Sequence, residues 1–319
     1  MRLSNTLLKR IFIYILFSPL FAFALSTFDK TSLQCVNFAN EFCKEKSNTL
    51  WQLTFCDNKG KEICKVSNLD ADKLSYKKEN SKQFLIFDKI PIEGKKDQLT
   101  VKVTITSANN NKEFWHISWN NKTNLEIKKV KFPILTQVIK PGFGDVMFPI
   151  GCYGGRLFVN NRAAKSNIYP SFTGFTQLAS FTIKNKTLAI FPRDKAGLVK
   201  TFSLLPNQSY SIETEVPLNS KSLPFDIEFA LFNGNYLAAA KEYRAWAIEC
   251  APWLKKGHLA KRKDLPQSFF QNGPWFCMGW MPPESMNEMV KRAQDACGMP
   301  ISLHWYVWHK EQFDSKYPE

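Results

Sequence analysis

Nowhere in the 319 residues is there an apolar run of roughly 20, the length that a membrane-spanning helix requires. None of the eight cysteines stands two to four residues from another, so the close cysteine pairs of a structural zinc site are missing. Neither Gly-Lys-Ser nor Gly-Lys-Thr follows Gly142, Gly144, Gly151, Gly154 and Gly155, and no helical pattern opens there. Those glycines are therefore read as bends between strands and not as a phosphate-binding loop. Acidic residues are in deficit, 28 Asp and Glu against 43 Lys and Arg, a formal charge of +15. With 44% hydrophobic and 22% charged residues the composition is otherwise that of a globular protein, which excludes disordered, collagen-like and multi-span membrane classes.

The first residues account for little of the charge. Arg2, Lys9 and Arg10 precede an apolar stretch of about 14 residues from Ile11, which contains Pro19 and ends in Ala22-Phe23-Ala24. A basic start, a short apolar run and a small-residue cleavage pattern have the shape of a secretory signal peptide. Residues 1–24 are expected to be removed after Ala24, giving a secreted or periplasmic protein with no stable membrane span; a retained anchor is the alternative. Loss of those three basic residues takes the formal charge only from +15 to +12, so the surplus belongs to the folded part. Its lysines are scattered among Asn, Asp and Ser, with the densest cluster at Lys255 to Lys263, whereas a nucleic-acid site needs basic residues concentrated on one face with aromatic or base-reading groups between them. The pattern reads as a solvated surface, and no nucleic acid partner is expected.

An oxidising compartment would permit disulfides, but eight cysteines pair in 105 ways. Cys35, Cys43, Cys56 and Cys64 would match in one long hairpin. The turn signal Asp57-Asn58-Lys59-Gly60 favours a shorter hairpin of Trp51 to Cys56 with Lys61 to Val66, which breaks that pairing. Free thiols are the simpler expectation.

Short strands separated by polar turns fill residues 25–232. Phe84 to Phe87, Gln98 to Thr106, Glu113 to Trp119, Leu125 to Phe132, Gly155 to Val159, Leu178 to Lys184, Leu188 to Phe191, Leu198 to Leu204 and Tyr210 to Val216 carry β-branched and aromatic residues, several in alternation. Along Glu113 to Trp119, Trp115, Ile117 and Trp119 oppose Phe114, His116 and Ser118. Asn109 to Asn111 and Asn120-Asn121 are read as turns. The fold class expected is mainly β, a large antiparallel β-supersandwich. The period changes at Asn235. Leu237, Ala240, Arg244, Ala247, Ile248 and Ala251 fall at helical spacing, with Tyr243 and Trp246 on a neighbouring stripe as packing residues, before Pro252. Residues 233–265 are thus a linking helix and linker.

Residues 266–319 have another character. Trp275 to Trp280 forms a strand, Pro282-Pro283 opens a helix with Met286, Met289, Val290, Ala293 and Cys297 on one face, and Ile301 to His309 forms a second strand after Gly298 and Pro300. Strand, helix and strand at this spacing make a βαβ unit with parallel strands. Such a unit leaves strand faces uncovered, so it is read as the opening of something larger. In a parallel barrel, ligands bind beyond the C-terminal strand ends. Trp280, His304, Trp308, His309 and Asp314 are the candidate substrate-binding residues: indole faces stack on sugar rings, while imidazole and carboxylate groups bond hydroxyls. Trp275 and Trp305 fit core positions. The partner expected is an oligosaccharide or polysaccharide; no cofactor and no metal are expected.

His304-Trp305-Tyr306-Val307-Trp308-His309, with Phe313-Asp314 and Tyr317-Pro318-Glu319, resembles a family of bacterial secreted proteins of unknown function that look like glycoside hydrolases. Phe132-Pro133, Tyr169-Pro170, FPRDKAGLVK from Phe191 to Lys200, and AAKEYRAW from Ala239 to Trp246 extend the likeness over roughly residues 84–319. The resemblance implies a mutarotase-like sandwich followed by a (β/α)8 barrel, and it implies glycosidase-type chemistry for the whole protein. Glycosidases use two carboxyl groups about 5 to 10 Å apart, and in similar barrels these lie on strands later than the second. The catalytic residues are therefore unknown, and this chain is expected to be inactive on its own, a fragment with about 54 residues of a barrel that takes about 250. The competing expectation is a non-catalytic carbohydrate-binding or structural sandwich.

Overall fold

The computed structural model describes residues 25–38, 41–43, 45, 49–109, 111–151, 154–160, 163–250, 255–257, 261–267, 270, 275–278, 283–298 and 300–305. The chain divides after Cys250 into two compact units. Residues 1–24, with the expected signal peptide, lie outside the described residues. Among the described residues no helix is long and apolar enough to cross a membrane.

The first unit holds β1 (Ser26–Phe28), β2 (Cys35–Phe38), β3 (Gln52–Cys56), β4 (Glu62–Ser67), β5 (Lys73–Glu79), β6 (Lys82–Ile92), β7 (Lys95–Asn109), β8 (Lys112–Asn121), β9 (Glu126–Leu135), β10 (Asp145–Phe148), β11 (Arg156–Val159), β12 (Lys165–Tyr169), β13 (Ala179–Ile183), β14 (Lys186–Pro192), β15 (Lys200–Leu204), β16 (Tyr210–Glu215), β17 (Ile227–Asn233) and the helix α1 (Tyr236–Cys250). A nine-stranded sheet in the order β11-β10-β13-β14-β17-β8-β7-β6-β5 and a six-stranded sheet in the order β12-β15-β16-β9-β3-β4 form the sandwich, and β1 and β2 make a small ribbon. All these pairings are antiparallel, as the alternating sequence requires.

Alternation decides which face is buried. On β8, Trp115, Ile117 and Trp119 point into the core, while Phe114, His116 and Ser118 point out. Trp115 packs 4.3 Å from Phe229, 5.3 Å from Phe38 and 5.4 Å from Phe28 between ring centroids, so the ribbon is bound to the nine-stranded sheet through aromatic contact. Each fully buried ring of this kind contributes about 1.5 to 3 kcal/mol over leaving it in water. The β3–β4 hairpin turns at Asp57 to Gly60, where Asp57 Oδ1 accepts from the amides of Lys59 and Lys61 at 2.9 Å each and Gly60 adopts a φ of +79°. Cys43 and Cys56 are buried thiols and do not pair.

Two local readings are corrected. Asn120 and Asn121 are not a turn: they continue β8, opposite Thr100 and Leu99 of the long β7, and the Asn121 side chain starts the turn only afterwards by accepting from the Thr123 amide at 3.0 Å. The helix α1 seats only part of its expected stripe: Ala240 and Ala247 pack inward together with the expected packing residues Tyr243 and Trp246. Leu237 and Ile248 are 51% and 54% exposed, whereas Ala239 and Trp246 are buried and Tyr243, Ala247 and Cys250 pack beside them; Ala251 lies outside the described residues. The large indole and phenol areas outweigh the aliphatic stripe, and they seat on Phe191 of β14 at 5.9 and 5.5 Å. Asn235 caps the helix by accepting from the Leu237 amide at 3.0 Å.

The second unit holds β18 (Trp275–Met278), the helix α2 (Pro283–Cys297) and β19 (Ser302–Trp305), with β18 and β19 parallel. Met286 on α2 is buried and Val290, Ala293 and Cys297 are half-buried, as expected for one face, but Met289 at its margin is 42% exposed.

Candidate functional site

The βαβ unit places the expected sugar-binding residues only in part. Register pairs Trp275 with Ser302, Phe276 with Leu303, Cys277 with His304 and Met278 with Trp305. His304 is thus one residue short of the C-terminal end of β19. Trp280, Trp308, His309 and Asp314 lie outside the described residues. On α2, Glu288 is tied to Arg292 one turn along, an exposed pair at 2.5 Å. Asp264 bonds Arg262 and Lys256 at 2.7 and 2.8 Å, and these two cations hold its carboxyl well below the usual carboxylate range. These acids are engaged with cations on the surface, in keeping with their helix and linker positions. Among the described residues no three His, Cys, Asp or Glu side chains converge as a metal site.

The motif from Phe191 to Lys200 builds a buried polar centre that sequence reading did not resolve. Lys200 is completely buried, and its ammonium donates to Asp194 Oδ2 and, at 2.8 Å, to the Leu198 carbonyl. Asp194 folds the loop around itself by accepting from the amides of Ala196 at 2.9 Å and Leu198 at 2.6 Å. The rings of Tyr169 and Phe225 lie 5.2 and 4.9 Å from the ammonium. Burial pulls the Lys200 ammonium below the ordinary lysine value, and Asp194 offsets only part of that. Gln177 connects this centre to the helix: its side chain donates to the Asp194 carbonyl at 3.0 Å, and its amide donates to the Tyr243 hydroxyl at 3.2 Å. Burial pushes the Tyr243 phenol up to about 12.

A second set of charges lies on the outer face of the nine-stranded sheet. Glu228 of β17 is completely buried and pairs with Arg193 and, at 3.2 Å, with Lys112 of β8. Lys112 also reaches Glu242 of α1 at 2.5 Å. Burial works against the Lys112 ammonium, yet Glu242 and Glu228 together raise it above the ordinary lysine value. The Arg193 guanidinium stacks within 5.3 to 5.8 Å of Phe191, Phe114 and Trp246. Arg193, Asp194 and Lys200 from one motif, with Glu242, Tyr243 and Trp246 from the other, therefore meet at the seat of α1. Their chemistry is structural: each charge is matched, and Lys200 has no access to solvent.

Two surface clefts of about 430 Å³ each open on the sandwich. One is lined by Asn120, Asn121, Asn124, Asn219 and Glu126 beside Trp119. Its walls are pinned by Glu126, which accepts from the Asn219 amide at 3.1 Å, and by the Trp119 indole, which donates to the Ser220 carbonyl at 2.8 Å. The other holds Phe143, 58% exposed, with Gln137, Lys140 and Glu41 around it. Side-chain amides next to an aromatic ring can bond and stack on a sugar.

Residues 221–319 match the family described as "Domain of unknown function (DUF6259)". A protein of Monosiga brevicollis named "Putative glycoside hydrolase 22789" is 25% identical over 219 residues, 58% of this chain and 18% of that protein. A "Putative glycoside hydrolase" of Bacteroides thetaiotaomicron is 27% identical over 214 residues, 64% of this chain and 31% of that protein. Among solved structures, the α-N-acetylgalactosaminidase NagBb of Bifidobacterium bifidum, in its GalNAc complex, superposes with a TM-score of 0.57 at 12% identity, over 93% of this chain and 53% of that one. The chain thus spans about half of that solved structure and less than a third of either curated relative. In architecture it is a large antiparallel β-sandwich followed by a parallel βαβ unit, the arrangement of the sandwich-plus-barrel glycoside hydrolases that it resembles.

Proposed function

We propose that this chain supplies the sandwich and the opening βαβ unit of an exported glycoside hydrolase-like protein. It meets carbohydrate at the C-terminal ends of the barrel strands through Trp280, His304, Trp308, His309 and Asp314. The observation that carries this reading is the joint likeness, in sequence to two proteins named as glycoside hydrolases and in fold to a sandwich-plus-barrel glycosidase over 93% of the chain. The parallel register of β18 and β19 supports it, since it sets His304 near the strand end where barrel ligands bind.

A second reading, a non-catalytic module in which the sandwich binds glycan by itself, draws on the cleft of Asn120, Asn121, Asn124 and Asn219. Binding of the full chain to an array of mono- and oligosaccharides separates the two. Under the first reading, binding falls about tenfold or more on Trp308→Ala, the loss of a stacking ring, and is unchanged by Asn124→Ala. The opposite pattern refutes the barrel-end site in favour of the sandwich cleft. Failure to bind any glycan refutes both.

A further inference from the structure

Glu113, at the start of β8, is a completely buried carboxylate with no part in the clusters described above. It shares the inward face of its strand with Trp115 and Ile117. Its Oε1 accepts from the Ser26 amide at 3.2 Å and the Ser107 hydroxyl at 3.3 Å, and its Oε2 from the Ser26 hydroxyl at 2.6 Å and the Trp115 indole at 3.2 Å. All four donors are neutral, and among the described residues no Lys, Arg or His is paired with it. Its cross-strand neighbours, Ser107 on β7 and Phe229 on β17, and the Phe28 and Phe38 rings stacked on Trp115, are uncharged as well. An ionised carboxylate in such surroundings is costly unless an opposite charge comes near it.

Half of the donors come from Ser26. Leu25, immediately before it, is 3% exposed and belongs to the main core, so the first described residues are packed beside this carboxylate. The small-residue pattern Ala22-Phe23-Ala24 ends one residue upstream. We propose that Glu113 is the receptor site for a primary α-ammonium, the chain's own new amino terminus at Leu25. Hydrolysis of the Ala24–Leu25 peptide bond by a leader peptidase adds water across it. The hydroxyl goes to the Ala24 carbonyl, which leaves as a carboxylate and a proton, and the hydrogen goes to the Leu25 nitrogen, which takes up a further proton as an ammonium. Consecutive backbone nitrogens stand roughly 3 Å apart, so this ammonium lies one such step from the Ser26 nitrogen that already contacts Oε1. An opposite charge within about 4 to 6 Å favours the ionised carboxylate without displacing a donor. Any residue left ahead of Leu25 would put a neutral amide where the charge is needed, so the site is completed only by a chain that starts at this residue.

The inference rests on the export part of the proposed function, and one experiment separates the two. The full chain is exported from a bacterial host, its amino terminus is sequenced, and the native protein is treated at neutral pH with an aldehyde reagent selective for α-amines. The expected start is Leu25. Labelling in the native state is expected to be about tenfold slower than in denaturant, the factor by which one pKa unit lowers the reactive neutral amine. Glu113→Asp keeps that protection and Glu113→Gln loses it. A start at Met1 overturns the export reading and the inference with it. A start at Leu25 with an amine that labels equally fast in native and denatured protein overturns the capture alone. If Glu113→Gln does not fold, the pH dependence of native labelling decides the matter: capture moves its midpoint above that of the denatured chain, whereas burial of Leu25 alone moves it below.

Discussion

Lys200→Met isolates what the buried Lys200–Asp194 pair does. The substitution keeps most of the aliphatic stem and removes the ammonium, which is fully enclosed and bonded to Asp194 and to the Leu198 carbonyl. Breaking a buried pair from one side costs about 3 to 5 kcal/mol, because the remaining charge is stranded. Asp194 retains the amides of Ala196 and Leu198 as donors, so a value near the lower limit, about 3 kcal/mol, is expected. At about 2 to 4 °C per kcal/mol for a unit of this size, the melting temperature falls by about 6 to 12 °C. Asp194→Asn, which strands the ammonium and weakens the acceptor for both loop amides, costs about 4 kcal/mol by the same reasoning. Burial lowers the Lys200 ammonium below its ordinary value despite Asp194, so the pair does not fully repay its own desolvation. The double variant Lys200→Met/Asp194→Asn is therefore expected nearer to wild type than either single one, below about 3 kcal/mol, which makes the coupling larger than about 4 kcal/mol. Urea unfolding followed by tryptophan fluorescence measures all four corners of the cycle. A cost below about 1 kcal/mol for Lys200→Met, or single costs that simply add, would refute the argument.

Gly144→Ala is expected to destabilise the sandwich by at least about 1 to 3 kcal/mol, seen as a lowered melting temperature. Gly144 has a φ of +73°, and a Cβ there would lie 2.1 Å from the Thr182 carbonyl oxygen. Alkaline titration followed by near-ultraviolet absorbance should show one phenol ionising at about 12 that vanishes in Tyr243→Phe. Because the folded phenol holds its proton above the unfolded value of about 10, its contribution to stability is intact below pH 10 and is lost as the pH rises towards 12.

Much of the sandwich is legible from residue order because alternation is a local property. Glu113 to Trp119 announces its buried face through its tryptophans, and Asp57 to Gly60 announces its hairpin through an acceptor and a glycine in the right places. The strand β5, reading Lys-Leu-Ser-Tyr-Lys-Lys-Glu, carries no such signal, since it pairs on one side only and buries little. The face of α1 is legible only in part, for a different reason. Periodicity offers an aliphatic and an aromatic stripe side by side, and Phe191, 45 residues before Tyr236, selects the aromatic one, a choice that depends on long-range contact. The functions of Asp194, Lys200 and Glu228 are hidden in the same way, because each is defined by a partner or a burial that only folding supplies. Glu113 does leave a trace: it stands in phase with Trp115 and Ile117, and an acid in phase with inward tryptophans is an acid in the core.

The ends of the two sheets give the basic composition a meaning of its own. The outermost strands are β11 and β5 in one sheet and β12 and β4 in the other. Three of them carry a net positive charge, from Arg156 on β11, from Lys73, Lys77 and Lys78 against Glu79 on β5, and from Lys165 on β12, while on β4 Lys65 is matched by Glu62 at 3.0 Å. An outermost strand has unused backbone donors and acceptors that invite another strand to join. Two copies approaching rim to rim would set like charges face to face, so the surplus of lysine keeps concentrated protein from zipping into extended sheets. That protection works over about 10 Å in dilute buffer and shrinks to about 3 Å near 1 M salt, which makes high salt the condition under which these rims become adhesive.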